Sequence, residues 1–481
     1  MTHTPSTGEV SSALEAVGKQ IDSIISADKT DAVVLKSRWQ DLQEELPQEG
    51  IGFDATVNEL IERVLPFGNR MSDPGFIGWI TSGPTAIPTI AATAAAFLAP
   101  QRYGISAFNL LEELSLEWLA RLCGLPHEMK GVYSSGGSTA NLVALGAARQ
   151  KALVSADLDP TMHGLDGRPV AIYASSEAHH TIARSAAVLG LGRRSVRSVP
   201  IDSRQRIRVD ALESMLQEDL ATGCLPIAIV ASAGTTNTGA IDPIEEIGAI
   251  AAAHDVWFHV DGAYGLPGSL DQRVADRFSG LDLADSAIVD PHKWLGAPVG
   301  IGATYVKDRS ILFDAFTQEP APYLEGSFVA DDDVQTSFES MGIPYSEFGV
   351  ELSSPSRGVQ VWAILKELGV EGIRRRVKTD NDFASYTARF ANEHPRLESL
   401  TEPELSIACF RYVDDAIDDL NAFNQSLLVE VRRRSRYIVS STVVAGKYAI
   451  RPCYINARTK QDHVDEFLRL VVEVGDELAA T

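Results

Sequence analysis

The hydrophobic pattern changes its period along the chain. Residues 8 to 66 place apolar positions at helical spacing, as in "ALEAVGKQIDSIISA" and "TVNELIERVLPF", which predicts amphipathic helices. An irregular stretch marked by Pro and Gly, "NRMSDPGFIGWITSGPTAIP" at 69 to 88, ends this first segment. The run "AIPTIAATAAAFLAP" at 86 to 100 is apolar on every face and predicts a buried helix. It is too short to span a bilayer, which takes roughly 20 apolar residues. From about 110 to 310, short β-branched runs take over: "VAIYAS" (170 to 175), "SVRSVP" (195 to 200), "IAIVAS" (227 to 232), "VWFHVD" (256 to 261), "SAIVD" (286 to 290) and "GATYV" (302 to 306). Helical patterns such as "HTIARSAAVLGL", "VDALESMLQEDLA" and "PIEEIGAIAAAH" lie between several of them. This alternation predicts an α/β layer with a mostly parallel sheet, whose ligands gather beyond the C-terminal ends of the strands.

Residues 311 to 350 have no clear period, and "VADDDVQTSFESMGIPYSE" is acidic and interrupted, the pattern of a mobile loop or lid. A helical run "GVQVWAILKELGVEGIRRRV", a strand "LSIACFRYV" and helices "DDLNAFNQSLLVEVRRRS" and "TKQDHVDEFLRLVVEVGDEL" then predict a smaller α+β unit. A chain of 481 residues exceeds one ordinary core. The expected division is a helical segment over 1–85, a large domain over 86–345 with a loop at about 311–345, and a small domain over 346–481.

Composition narrows the partners. Lys plus Arg number 42 against 65 Asp plus Glu, a formal charge of −23 that repels polyanions and disfavours nucleic acid and anionic membranes as partners. The N-terminus has no basic flank followed by an apolar run, so it does not read as a secretory signal. Cys123, Cys224, Cys409 and Cys453 lack CxxC pairs and His partners, so they signal no metal site and read as reduced thiols of a cytoplasmic protein.

Three places along the α/β region carry unusual residues. "VYSSGGSTANLVALGAARQ" puts Ser134, Ser135, Gly136, Gly137, Ser138 and Thr139 at the start of a helix, where orphan N–H groups and the helix dipole favour an anion. "VWFHVDGAYG" delivers Asp261 at the end of an apolar strand, and "SAIVDPHKW" delivers Asp290, His292 and Lys293 after another. Taken singly these are an N-cap, a turn residue and a surface lysine. Taken in order, an anion cradle, a strand-end carboxylate and a lysine meet the needs of a pyridoxal phosphate site: the phosphate, the pyridine nitrogen and the aldehyde each require one of them.

With these residues in order, the chain resembles the group II pyridoxal-phosphate-dependent amino-acid decarboxylases, the aromatic amino acid and glutamate decarboxylase superfamily, over roughly residues 70 to 375. "HVDGAYG" is similar to that family's HVDAAYG segment, "DPHKWLG" to its lysine segment, and "SSGGSTANLVAL" to its phosphate-binding turn. "SSEAHHTIARSAAVLGLG", "ASAGTTNTGAIDPI" and "EELSLEWLARLCGLP" match further family segments. The resemblance implies fold type I: a mostly parallel mixed seven-stranded sheet in the large domain, an N-terminal helical segment, a small α+β C-terminal domain, and a homodimer with active sites at the interface. It implies that Lys293 bonds the cofactor's aldehyde, Asp261 pairs with the pyridinium, and Ala263 and His179 lie on the two ring faces. Gly137 and Ser138 would hold the phosphate, with His292 and Asp290 adjoining, and Thr235 or Thr236 would lie near the ring's 3-hydroxyl. His180 is the alternative register for His179. "APYLEG" is similar to the family's mobile-loop segment, which nominates Tyr323 as the acid that protonates Cα; Tyr345 is a weaker substitute.

The chain also departs from the family. Where aromatic amino acid decarboxylases commonly read HPxFF, it has "DPGFIGWI", with Asp73 in the histidine's place. Phe76, Trp79 and Phe108 are candidates for an apolar substrate pocket, and the family's arginine-rich stretch appears here as "ELSSPSRGVQVW", with Arg357 retained and its usual neighbour replaced by serine. No extra arginine is placed to grip a second substrate carboxylate, so an aromatic or aliphatic amino acid is expected over glutamate. The first expectation is decarboxylation of an L-amino acid to its amine. The alternatives are decarboxylation coupled to oxidative deamination on the same scaffold, and a fold type I aminotransferase or lyase.

Overall fold

The computed structural model describes residues 8–26, 42–102, 106–317 and 343–480. Twelve strands form two sheets among the described residues: β1 (Phe76–Ile77), β2 (Lys130–Ser134), β3 (Val170–Ser175), β4 (Val196–Val199), β5 (Leu225–Ser232), β6 (Trp257–Asp261), β7 (Ser286–Val289), β8 (Gly302–Val306), β9 (Leu397–Ser399), β10 (Phe410–Tyr412), β11 (Ile438–Val444) and β12 (Lys447–Arg451).

The larger sheet has seven strands in the order β2-β8-β7-β6-β5-β3-β4. Neighbours from β7 through β4 run parallel, and β8 runs antiparallel to both β7 and β2. Every residue of β3 and β7 is buried, as are all but the first of β5. Strands covered on both faces read as unbroken apolar runs, which is why these were visible in the sequence. β2 was not, because "KGVYS" is neither a long apolar run nor a clean alternation.

Helices cover the sheet, and the Gly137–Val154 helix crosses β5 to β8. Its buried face is built largely of Ala140, Ala144, Gly146, Ala147 and Ala148, small residues that let the helix axis approach the strands closely. That approach brings the helix N-terminus to the C-terminal edge of the parallel strands, the place where ligands bind in this architecture.

The smaller sheet, in the order β1-β11-β12-β10-β9, has its own core around Phe410, Tyr412, Leu427, Phe467 and Leu468. β1 comes from the early irregular stretch and pairs in parallel with β11, Phe76 opposite Ile438. β11 and β12 form a hairpin closed by Ala445 and Gly446, both at positive φ (49° and 79°). Such a two-residue turn is commonly marked by Asn-Gly or Asp-Gly, and the Ala-Gly written here hid the hairpin from the sequence.

Three expectations need correction. The 86–98 helix is present but only Pro88, Ala91 and Ala95 are buried, while Ile90, Phe97 and Leu98 are exposed on a single chain. The region 311–350 begins with a short helix, Ser310–Phe316, and ends in a helical turn at Tyr345–Glu347. The helix begun by "GVQVW" runs from Gly358 to Glu393, past a break at Gly369 (φ 62°). No helix among the described residues is long and apolar enough to cross a membrane.

Candidate active site

A cavity of about 280 Å³ opens at the C-terminal edge of the seven-stranded sheet. Its wall includes Gly137, Ser138, His179, Thr235, Thr236, Asp261, Ala263, Asp290, His292 and Lys293. The residues read from the sequence as holding a cofactor therefore share one crevice, although they come from distant parts of the chain.

The cradle forms where β2 turns into the Gly137–Val154 helix. Gly136 sits at φ 125°, a backbone conformation closed to most L-residues. A Cβ on Gly137 would lie 2.6 Å from Asp290 Oδ2, so the turn and the carboxylate fit together only without one. Asp290 is buried, and its Oδ1 makes no hydrogen bond among the described residues. Lys293 Nζ lies 3.0 Å from Asp290 Oδ2, which turns the amine back toward the cradle and away from solvent. His292 Nδ1 donates to the carbonyl of Ile301 at 2.6 Å, leaving Nε2 as the ring nitrogen turned toward Asp290 Oδ2, 3.9 Å away. Trp294 points into the core, stacked on Tyr264 with ring centroids 5.3 Å apart and donating to Asp380 Oδ2 at 2.8 Å.

Asp261 is the last residue of β6. Its Oδ1 accepts from the Ala263 N–H at 3.2 Å and its Oδ2 from Asn141 Nδ2 at 3.0 Å. Period-2 geometry puts Trp257, His259 and Asp261 on one face of β6, and the strand register sets Ser286 of β7 opposite His259. His259 is fully buried, and burial pushes its imidazole down to about 4. His179 precedes the Thr181–Val188 helix and lines the cavity, whereas His180 is exposed and off the wall. Burial also lowers the pKa of His179, against the opposing pull of Asp261.

Both threonines of the 235–236 pair reach the cavity. The Thr235 hydroxyl is engaged within its own loop, with Thr238 Oγ1 at 3.1 Å and the Ala240 N–H at 3.2 Å. Tyr323 lies outside the described residues. Tyr345 is no substitute for it: the ring is buried off the cavity wall and its hydroxyl donates to Glu113 Oε2 at 2.6 Å. Burial and that carboxylate both push its pKa far above the ordinary tyrosine value.

The three aromatic pocket candidates also lie off the wall. Phe76 is buried in β1, and Phe108 packs on the cluster of Ala91, Ala95, Val359 and Ala363. Trp79, at φ 51° and 56% exposed, is held by its backbone, with its N–H on Ser440 Oγ and its carbonyl on Arg451. Asp73 also lies off that wall. It is buried, caps the Gly75 N–H and pairs with Arg436 at 2.9 and 3.0 Å, a clamp between the early segment and the smaller sheet.

Asn141, Thr181 and Tyr264 also line the cavity and were not singled out from the sequence, nor was the buried His259 behind them. Two signals pointed to them: Asn141 falls four residues after Gly137, on the same helical face, and His259 falls two before Asp261, on the same strand face.

The pyridoxal-dependent decarboxylase conserved domain matches residues 45–413. The chain belongs to the pyridoxal-dependent decarboxylase family. It is 28% identical to the aromatic-L-amino-acid decarboxylase of Bacillus atrophaeus over 94% of this chain and 91% of that protein. It is 25% identical to phenylacetaldehyde synthase of Arabidopsis thaliana, over 90% and 88% of the two chains. The structure of Oryza sativa TDC with PLP and tryptamine superimposes with a TM-score of 0.86 at 23% identity, covering 99% of each chain. This likeness places the fold as fold type I α/β, and the family makes the chain a PLP-dependent carboxy-lyase. The residues present fit that cofactor: a glycine cradle that a Cβ would fill, an acceptor-only carboxylate and a primary amine face one cavity.

Because His259 sits below its usual 6.5, the folded chain takes up its proton later than the unfolded chain does. Its contribution to stability is whole above pH 6.5 and is lost as pH falls through that value toward 4. Wild type should therefore lose about 2 kcal/mol more unfolding free energy than His259→Gln between pH 7.5 and pH 5. Urea titrations at the two pH values check this, and equal losses would show that His259 is not buried as a neutral ring.

Proposed function

We propose that this enzyme decarboxylates an L-amino acid, an aromatic one in preference to glutamate, to the corresponding amine and CO2. The observation that carries the reading is the meeting of Lys293, Asp261 and the Gly137–Val154 helix N-terminus in one cavity of a family member. Pyridoxal phosphate, when bound, supplies the sink for the electron pair left as CO2 departs.

Lys293 would hold that group through its amine. Gly137, Ser138 and the helix N-terminus would take its phosphate, with His292 and Asp290 adjoining. Asp261 would keep the ring nitrogen protonated, an interaction strengthened by the low polarizability of a buried site. His179 and Ala263 would confine the ring plane from its two faces, and Thr236 would lie at its 3-hydroxyl side. Tyr323 is assigned as the acid that returns a proton to Cα, on its place in "APYLEG".

Lys293 is the sole Lys or Arg on the described cavity wall, which gives a second substrate carboxylate no cationic partner there. This, together with the aromatic substrates named for relatives in Bacillus atrophaeus and Oryza sativa, supports an aromatic amino acid. A second reading, release of an aldehyde and ammonia after decarboxylation, is favoured by the likeness to phenylacetaldehyde synthase.

The working unit is proposed as a homodimer with residues 1–85 contributing to the contact. The exposed Ile90, Phe97, Leu98 and Leu110 support this, since a single chain leaves them in water. The remaining division, a large domain over 86–345 and a small one over 346–481, is supported by the second core around the smaller sheet, drawn, apart from Ile77, from residue 383 onward, although Leu405, Ile407, Val444 and Ala449 belong to the larger core. Four free cysteines, all buried, support a cytoplasmic setting.

Incubation of the loaded enzyme with a panel of L-amino acids, followed by product analysis, should give amine and CO2 from an aromatic member and none from glutamate. Aldehyde, ammonia and oxygen uptake would establish the second reading in its place. Tyr323→Phe should lower amine formation by about 100-fold or more while leaving cofactor binding intact. Unchanged amine turnover in that variant would remove Tyr323 from the mechanism.

A further inference from the structure

We propose that Asn141 is a positioning residue for the reaction, a single side chain that orients the Asp261 carboxylate and the His179 imidazole together. The inference rests on the cofactor reading above and extends it to a residue whose bonding is used up inside the protein.

The hydrogen bonds around Asn141 have only one consistent set of directions. Asp261 Oδ2, as a carboxylate oxygen, can only accept, so the Asn141 atom 3.0 Å from it is Nδ2. The same Nδ2 lies 3.1 Å from Thr181 Oγ1 and donates its second hydrogen there. Asn141 Oδ1 then faces His259 Nε2 at 2.9 Å, and because a carbonyl oxygen cannot donate, that nitrogen carries the His259 proton. His259 Nδ1 is left as an acceptor for the Ser286 hydroxyl at 2.8 Å. Ser286 Oγ in turn accepts from Trp257 Nε1 at 2.7 Å.

The other branch ends at the ring-facing histidine. Since Thr181 Oγ1 accepts from Asn141, its own hydrogen is free to go to His179 Nδ1, 2.8 Å away. The Thr181 N–H also points at His179 Nδ1, at 3.4 Å. Two donors on Nδ1 place the proton of the neutral His179 ring on Nε2. Trp257, Ser286, His259, Asn141 and Thr181 thus form one directed chain, and it branches at Asn141 to the two groups that flank the ring.

Asn141, Thr181, His259 and Ser286 are each at most 1% exposed, so water does not compete for these bonds. Both N–H bonds and the carbonyl of Asn141 are committed within the chain. Although it lines the cavity, its amide hydrogens are not offered to a ligand. Its effect on the reaction is therefore exerted through Asp261 and His179. A buried polar chain of this kind has one low-energy arrangement, because reversing any member leaves two donors or two acceptors facing each other.

The two branches can be cut separately in the holoenzyme. Asn141→Leu removes the bonds from Asn141 to both branches, and Thr181→Val removes the hydroxyl link to His179, leaving only the backbone N–H at 3.4 Å, while sparing the bond from Asn141 to Asp261. The measurements are kcat and KM per bound cofactor, and the pH titration of the bound cofactor's visible absorbance. Asn141→Leu should lower kcat about 10- to 100-fold, with KM within about twofold, and move the absorbance midpoint by about half a pH unit or more. Thr181→Val should lower kcat about tenfold and leave the midpoint where it is in wild type. If Asn141→Leu does not accumulate, Asn141→Ser is read by the same criteria. A kcat within about twofold of wild type with an unmoved midpoint in the Asn141 variant, or wild-type kcat in Thr181→Val, would overturn the proposal and leave Asn141 a packing residue. Failure of the cofactor reading is distinguishable, because wild type itself would then show no cofactor absorbance and release no CO2.

Discussion

The constraint on which the rest of this structure depends is the place of one carboxylate. Asp261 has to end β6 at the edge where the parallel strands stop, because only there can it face a ligand while keeping its hydrogen bonds to Ala263 and Asn141. Parallel pairing of β5, β6 and β7 fixes that edge, and the register sets Ser232 and Ile288 beside Asp261. The alanine-rich face of the Gly137–Val154 helix then brings an anion-seeking N-terminus over the same edge. Lys293 follows as a consequence of β7, since the turn after that strand places Asp290, His292 and the amine together.

Charge is distributed accordingly. The chain carries a formal −23, yet the cavity collects a lysine, two imidazoles and a helix N-terminus around two carboxylates. The acidic balance elsewhere favours solubility and repels polyanions, whereas the crevice sets a helix N-terminus and Lys293 on one side and the Asp261 carboxylate on another. Burial keeps His259 neutral behind Asp261, so a second positive charge does not compete for the carboxylate.

Much of this was legible in the sequence because both β-run periodicity and strand-end chemistry are local. "VAIYAS" and "GATYV" match β3 and β8 residue for residue, and Lys293, Asp261, Gly137 and Ser138 stood out as strand-end or helix-start residues, whereas His179 entered through the family resemblance. The pieces that escaped depend on distant partners. β2 exists because β8 pairs with it, and β1 because β11 does. Asn141 looked like one more polar residue in a helix until the sheet register brought His259 and Ser286 behind it. The aromatic candidates have packing and backbone roles that the sequence pattern does not separate from a pocket role: Phe76 and Phe108 are packed, and Trp79 is exposed on a single chain at φ 51°. The 86–98 helix is a third case: its apolar pattern predicted burial, and Ile90, Phe97 and Leu98 are exposed.

Of the amines of this chain, Lys293 is the one proposed to anchor the cofactor. Reduction of the loaded enzyme with borohydride, followed by proteolysis and mass mapping of the peptides, reads this directly. Cofactor mass is expected on the peptide containing Lys293 and on no other. Cofactor mass on a different lysine, with Lys293 recovered unmodified, would contradict it.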